Sequence, residues 1–236
     1  MNFYKRKNIV VSSLLLVLLL LAGCTNPTQQ INIEKEIYNR ARAVDDAPVA
    51  INAAYRIVLL DETQTNFYDS IAQIYFEVQN FYGAKTVATN VYKNKQSKQI
   101  LNILAYSNFY EGNYTDASLY LQDLVKIDSL NSLKYLYDIG ICFFNVENGK
   151  TAMEYMQKVL NHPASKMTQK EVVMGNQQYK AYYYILALNT VGYIQMLNQQ
   201  YSKAEETFQQ LLSIEPEFEL AKNNYKILQQ MIAEQG

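Results

Sequence analysis

One small residue returns along this chain at a nearly constant interval. From Ala84 to Ala117 is 33 residues, and from Ala117 to Ala152 is 35. From Ala152 to Ala204 is 52, one such period with about 18 residues added. Each alanine lies in an apolar stripe of helical spacing, as in Tyr114, Ala117, Leu121 and Leu124. A period of this length marks a two-helix unit that cannot bury its apolar face alone and must stack on its neighbours.

The clearest unit runs from Ile185 to Phe218, and its spacing predicts two amphipathic helices joined by a polar turn at Asn198–Gln200. Gly192 and Ala204 stand where the helices must approach closely. Leu188, Val191, Phe208 and Leu211 fill the space between them, and Pro216 stops the second helix. The stretch resembles a tetratricopeptide repeat, whose period is about 34 residues. The resemblance implies an all-α fold, an α-solenoid of antiparallel helix pairs. Tryptophan is absent from the first aromatic position, which holds Tyr68, Leu101, Leu136 or Leu188, and proline closes only the last unit.

On that frame the chain divides into a degenerate first repeat at 31–62, repeats at 65–98, 98–131 and 133–166, and a last repeat at 185–218. The signature positions are Ala72 and Ala84, Ala105 and Ala117, Gly140 and Ala152, then Gly192, Ala204, Phe208 and Pro216. The added residues fall at 161–178, a polar stretch with Pro163 and Gly175 that extends the connection and has room for a helical start to the last repeat. A stack leaves its final apolar face uncovered, so 217–235 is expected to be a capping helix with a polar outer side. One domain over 31–236 is the expectation.

The N-terminus reads differently. Lys5, Arg6 and Lys7 precede an apolar run from Ile9 to Leu21, too short for a comfortable membrane span and typical of a signal peptide over 1–23. Leu21-Ala22-Gly23-Cys24 resembles a bacterial lipobox, which implies lipidation of Cys24 and a short tether over 24–30. Processing there leaves 18 basic against 22 acidic residues, so the lipid rather than charge must hold the chain on a membrane. Thr25 in place of aspartate favours, by resemblance, an outer-membrane address facing the periplasm. Cys142 then has no partner in the chain and reads as a small buried residue.

In tetratricopeptide stacks the first helix of each pair lines the concave face. By that resemblance the partner-binding face carries Phe76, Tyr106, Phe109, Tyr110, Tyr137, Phe144 and Tyr193. Gln73, Glu77, Ile141, Asn189 and Leu197 project beside them. The basic clamp by which chaperone-binding relatives hold a carboxylate is not visible, since Lys134 alone would contribute. The 21 tyrosines of the chain suit either an aromatic groove or inter-helix filler. Tyr182, Tyr183 and Tyr184 cannot share one helix face, so at least one of these rings is expected to be exposed or to touch the inserted segment.

Catalytic chemistry has no visible machinery. His162 is the sole histidine and sits beside Pro163, no phosphate loop or nucleophile elbow occurs, and no set of zinc ligands is spaced for binding. A net charge of −1 argues against a nucleic-acid binder. No cofactor and no small-molecule substrate is expected. The reading is a non-catalytic, membrane-anchored adaptor that binds a protein or peptide and supports envelope assembly. Alternatives are a lipoprotein of outer-membrane-barrel or pilus assembly, or an accessory to a cell-wall enzyme.

Overall fold

The computed structural model describes residues 26–94, 96–174 and 177–234. The signal segment 1–23, Cys24 and Thr25 lie outside these described residues. The chain divides into two compact units, Met1–Asn80 and Phe81–Gly236. The two helices of the unit expected at 65–98 therefore belong to different compact bodies.

In the first unit, α1 (Pro27–Ala43), α2 (Ala47–Leu60) and α3 (Asn66–Glu77) pack in sequence order. Asn26 caps α1, its side chain accepting from the Thr28 amide, with Pro27 in the first turn. Asp46 does the same for α2, accepting from the Val49 amide at 3.2 Å. Ala50, Ala54, Ile57 and Val58 form the buried stripe of α2. Tyr38 meets Phe67 edge to face at 5.2 Å, and Arg42 pairs with Glu77 at 2.8 Å.

The second unit comprises α4 (Phe81–Tyr92), α5 (Lys98–Tyr110), α6 (Tyr114–Ile127), α7 (Ser132–Asn145) and α8 (Gly149–Leu160). It continues with β1 (Gln169–Met174), β2 (Gln177–Tyr182), α9 (Tyr183–Leu197), α10 (Tyr201–Ile214) and α11 (Glu219–Ala233). Successive helices of this unit pack against one another, and Ala84, Ala117, Ala152 and Ala204 are all fully buried. A Cβ on Gly192 would lie 2.9 Å from two ring carbons of Phe208, and one on Gly140 would lie 2.6 Å from the terminal methyl of Met156. These two glycines let α9 and α7 approach their partner helices. The last helix, α11, buries Ala221 and Leu228 and turns Asn223, Lys226, Gln229 and Gln230 to solvent.

The turns repeat as faithfully as the small residues. Asp45, Gln79, Gly112, Glu147 and Gln199 all adopt positive φ, between 56° and 78°. In each turn this residue's amide reaches back to the helix just ended, and the next amide reaches further: Asn113 N–H to the Asn108 carbonyl at 2.8 Å, Asn148 N–H to Phe143 at 2.9 Å, Gln200 N–H to Gln195 at 2.9 Å. This is the Schellman arrangement, which satisfies carbonyls that the helix end leaves open. The residue after it then caps the following helix, as Asn148 does by accepting from the Thr151 amide at 3.2 Å.

The inserted segment differs from expectation. Instead of a polar connection ending near 178 it runs to Tyr182, and its second part is an antiparallel hairpin with Lys170 opposite Ala181 and Val172 opposite Tyr179. Residues on one face, Lys170, Val172, Tyr179 and Ala181, are partly or fully buried, while Glu171, Val173, Gln178 and Lys180 are exposed. That period-two alternation, with β-branched Val172 and Val173 at its centre, selects a strand over a helix. Among the described residues the architecture is thus all-α but for one small two-stranded sheet. Helix α9 starts at Tyr183, with Tyr183 buried, Tyr184 half-buried and Tyr182 exposed.

Candidate partner-binding groove

On α7, Ile141 and Phe144 share one face, and on α9 Asn189, Tyr193 and Leu197 follow at intervals of one helical turn. The two faces meet where Phe144 and Tyr193 pack edge to face, ring centroids 5.8 Å apart. Two adjoining depressions share this ring pair. One, of about 290 Å³, lies toward α11 and is lined there by Leu220 and Asn224. The other, of about 480 Å³, lies over the ends of α7 and α9 and includes Asn145, Glu147, Leu197 and Asn198. Asn224 Nδ2 donates to Asn189 Oδ1 at 3.0 Å, which ties α11 to α9 beneath the groove. Among the described residues, Glu147 is the one charged side chain that lines either depression.

The remaining residues expected on this face are placed elsewhere. Tyr106 and Tyr137 are buried, and each serves as filler between elements. The Tyr106 hydroxyl donates to Asp138 at 2.7 Å, and Tyr137 meets Tyr183 edge to face at 5.5 Å. Burial, reinforced by the Asp138 charge, raises the Tyr106 phenol well above its ordinary range, and burial likewise raises Tyr137 and Tyr183. Tyr110 is exposed and stacks on Phe81 at 4.7 Å, while Phe109 is half-buried between Tyr110 and Tyr114. Phe76 is half-buried on α3 of the first unit.

The helical period of the sequence does not show what fills the space over Tyr106 and Tyr137. The inserted hairpin reaches it: Lys170 on β1 pairs with the buried Asp138 carboxylate at 2.6 Å and lies 4.9 Å from the centre of the Tyr137 ring. Lys134, expected as a lone cation on the face, stands over the Tyr106 ring at 4.3 Å. One signal was present, since Asp138 interrupts the apolar run from Leu136 to Phe144 and a buried carboxylate requires a partner.

Cys142 is buried, which pushes its thiol up to about 12. His162 lies 3.3 Å from the Ser132 hydroxyl through Nε2 and accepts from the Ala164 amide through Nδ1, so it braces the start of the insertion. Among the described residues no three His, Cys, Asp or Glu side chains are grouped to hold a metal ion.

No protein-family profile matches the chain, and no curated protein matches it in sequence. Solved structures do match in fold. YrrB, described as a TPR protein with an unusual peptide-binding site, superposes with a TM-score of 0.63 at 17% identity, covering 86% of this chain and 98% of its own. A MamA crystal structure gives 0.60 at 16% identity, covering 79% and 92%. MamA from Desulfovibrio magneticus RS-1 gives 0.58 at 13% identity, covering 80% and 97%. The arrangement of repeats in this chain is that of the tetratricopeptide repeat fold.

Proposed function

We propose that the protein is a non-catalytic adaptor, held on a membrane by lipidated Cys24, that binds a protein or peptide through the groove around Phe144 and Tyr193. The observation that carries this reading is the groove itself: an aromatic pair flanked by apolar side chains and uncharged amides, open at two depressions. Amphipathic rings beside amide groups suit a polypeptide, which offers apolar side chains and backbone hydrogen bonds together. The likeness to YrrB is consistent with the reading at the level of fold. Anchoring rests on the lipobox resemblance, and among the described residues no helix is long and apolar enough to cross a membrane. An envelope location on the outer membrane, facing the periplasm, belongs to the same proposal.

Capture from solubilised cell-envelope fractions tests it. Wild-type protein is expected to retain a partner that the Phe144→Ala/Tyr193→Ala variant loses while keeping its helical circular dichroism. Identical partners on both proteins would remove the groove from the account. Cys24→Ser is expected to abolish incorporation of a palmitate analogue and release the chain from membranes.

A further inference from the structure

We propose that this groove selects a neutral-to-basic extended segment, with two apolar side chains in the two depressions and a lysine or arginine beside Glu147. The inference rests on the partner-binding reading above and names the chemistry of the occupant.

Charge comes first. Glu147 is exposed, occupies the turn between α7 and α8, and forms no ion pair among the described residues. Among the described residues no lysine, arginine or histidine lines either depression, and Lys150, three residues further on, is outside both. An acidic segment or a free C-terminal carboxylate would therefore meet a carboxylate and no countercharge. A basic group there gains an attraction that acts at the rim of the groove.

Backbone recognition comes second. The bond from Asn224 Nδ2 to Asn189 Oδ1 fixes both amides and uses one end of each. The Asn189 amide nitrogen and the Asn224 amide oxygen remain as a donor and an acceptor on groove-lining residues. They complement the carbonyl and N–H of a peptide, whatever its side chains.

Spacing comes third. Alternate side chains of an extended chain are about 7 Å apart on one face. Both depressions are lined by Phe144 and Tyr193, so they adjoin across that ring pair and alternate apolar residues of one extended segment can straddle it.

The test uses acetylated, amidated peptides that share two apolar residues at alternate positions and are flanked by lysine, glutamine or glutamate. Binding to the full chain in nonionic detergent at low salt is followed by fluorescence anisotropy. Affinity is expected to fall from lysine to glutamine to glutamate flanks by about two- to fivefold at each step. Glu147→Gln should abolish the order, and Glu147→Lys should reverse it. Binding that needs Phe144 and Tyr193 but shows no order, or an order that survives Glu147→Gln, would overturn the inference and leave the groove reading intact. No binding by any peptide, or binding indifferent to Phe144→Ala/Tyr193→Ala, would overturn both. Circular dichroism on each variant confirms that it is folded.

Discussion

Gly140 and Gly192 occupy equivalent places in successive repeats, yet the same substitution should have different consequences at each. At Gly192 an added methyl meets three carbons of the Phe208 ring, a rigid group that can shift only as a whole, whereas Met156, equally buried, ends in a flexible thioether. At Gly140 it meets the end of the Met156 side chain, which can turn aside. Alanine also gains about 1 kcal/mol over glycine inside a helix. Gly140→Ala should therefore change stability by less than about 1 kcal/mol, whereas Gly192→Ala should lose about 1–3 kcal/mol by overpacking. Urea denaturation of the two variants checks this, and equal losses would contradict the difference in neighbours. The tyrosines divide by the same kind of local fact. Tyr193 remains accessible beside Phe144, while Tyr106 is closed off by Asp138 and Lys134.

At the scale of the element, the hairpin is the part that the helical period could not foretell. It is fastened at its base by the Tyr183 amide to the Thr168 carbonyl and the Tyr184 amide to the Ser165 carbonyl. Its β1 strand is fastened again by Lys170 to Asp138. Lys170→Met would leave the buried Asp138 carboxylate with the Tyr106 hydrogen bond and the nearby Lys134 charge. Because Lys170 is itself partly exposed, the change should cost about 2–3 kcal/mol, less than the roughly 3–5 kcal/mol of a fully buried pair. Limited proteolysis should then cut between residues 169 and 182 faster than in wild type. Adding Asp138→Asn removes the orphaned charge and should restore much of the loss. A double variant as weak as the sum of its parts would show that the ion pair does not anchor the hairpin.

Across the whole molecule, acid resistance should depend on single carboxylates that join separate helices. Asp128 accepts from Lys98 at 2.6 Å, from Asn131 at 2.8 Å and from Tyr135 at 2.9 Å, so one side chain links α5, the turn after α6, and α7. The Lys98 hydrogen bond, followed by that from Asn131, pulls its acid down to about 2. The folded value thus lies below the unfolded one, near 3.8. Its contribution is complete above about pH 4 and is lost as pH falls toward 2. Chemical denaturation repeated between pH 5 and 2 should give a shallower decline for Asp128→Asn than for wild type. Parallel slopes would contradict the linkage.

Periodicity in the sequence determined the helix pairs, the alanines and glycines at their crossings, and the polar outer face of the last helix. Each follows from local geometry, because residues three and four apart share a helix face and close crossings need small side chains. The turns were half legible: a polar turn at Asn198–Gln200 was expected, but the positive φ that Asp45, Gln79, Glu147 and Gln199 share with Gly112 is adopted without glycine. Their conformation is imposed by the helices on either side. Tertiary structure alone decided which of the expected aromatics face solvent. Tyr137 and Phe144 lie seven residues apart on α7, and the repeat pattern gave both to one concave face. Lys170 from the inserted hairpin packs over the first, while the second stays open beside Tyr193. That outcome depends on a contact between Asp138 and Lys170, 32 residues apart, and no helical or strand period encodes it.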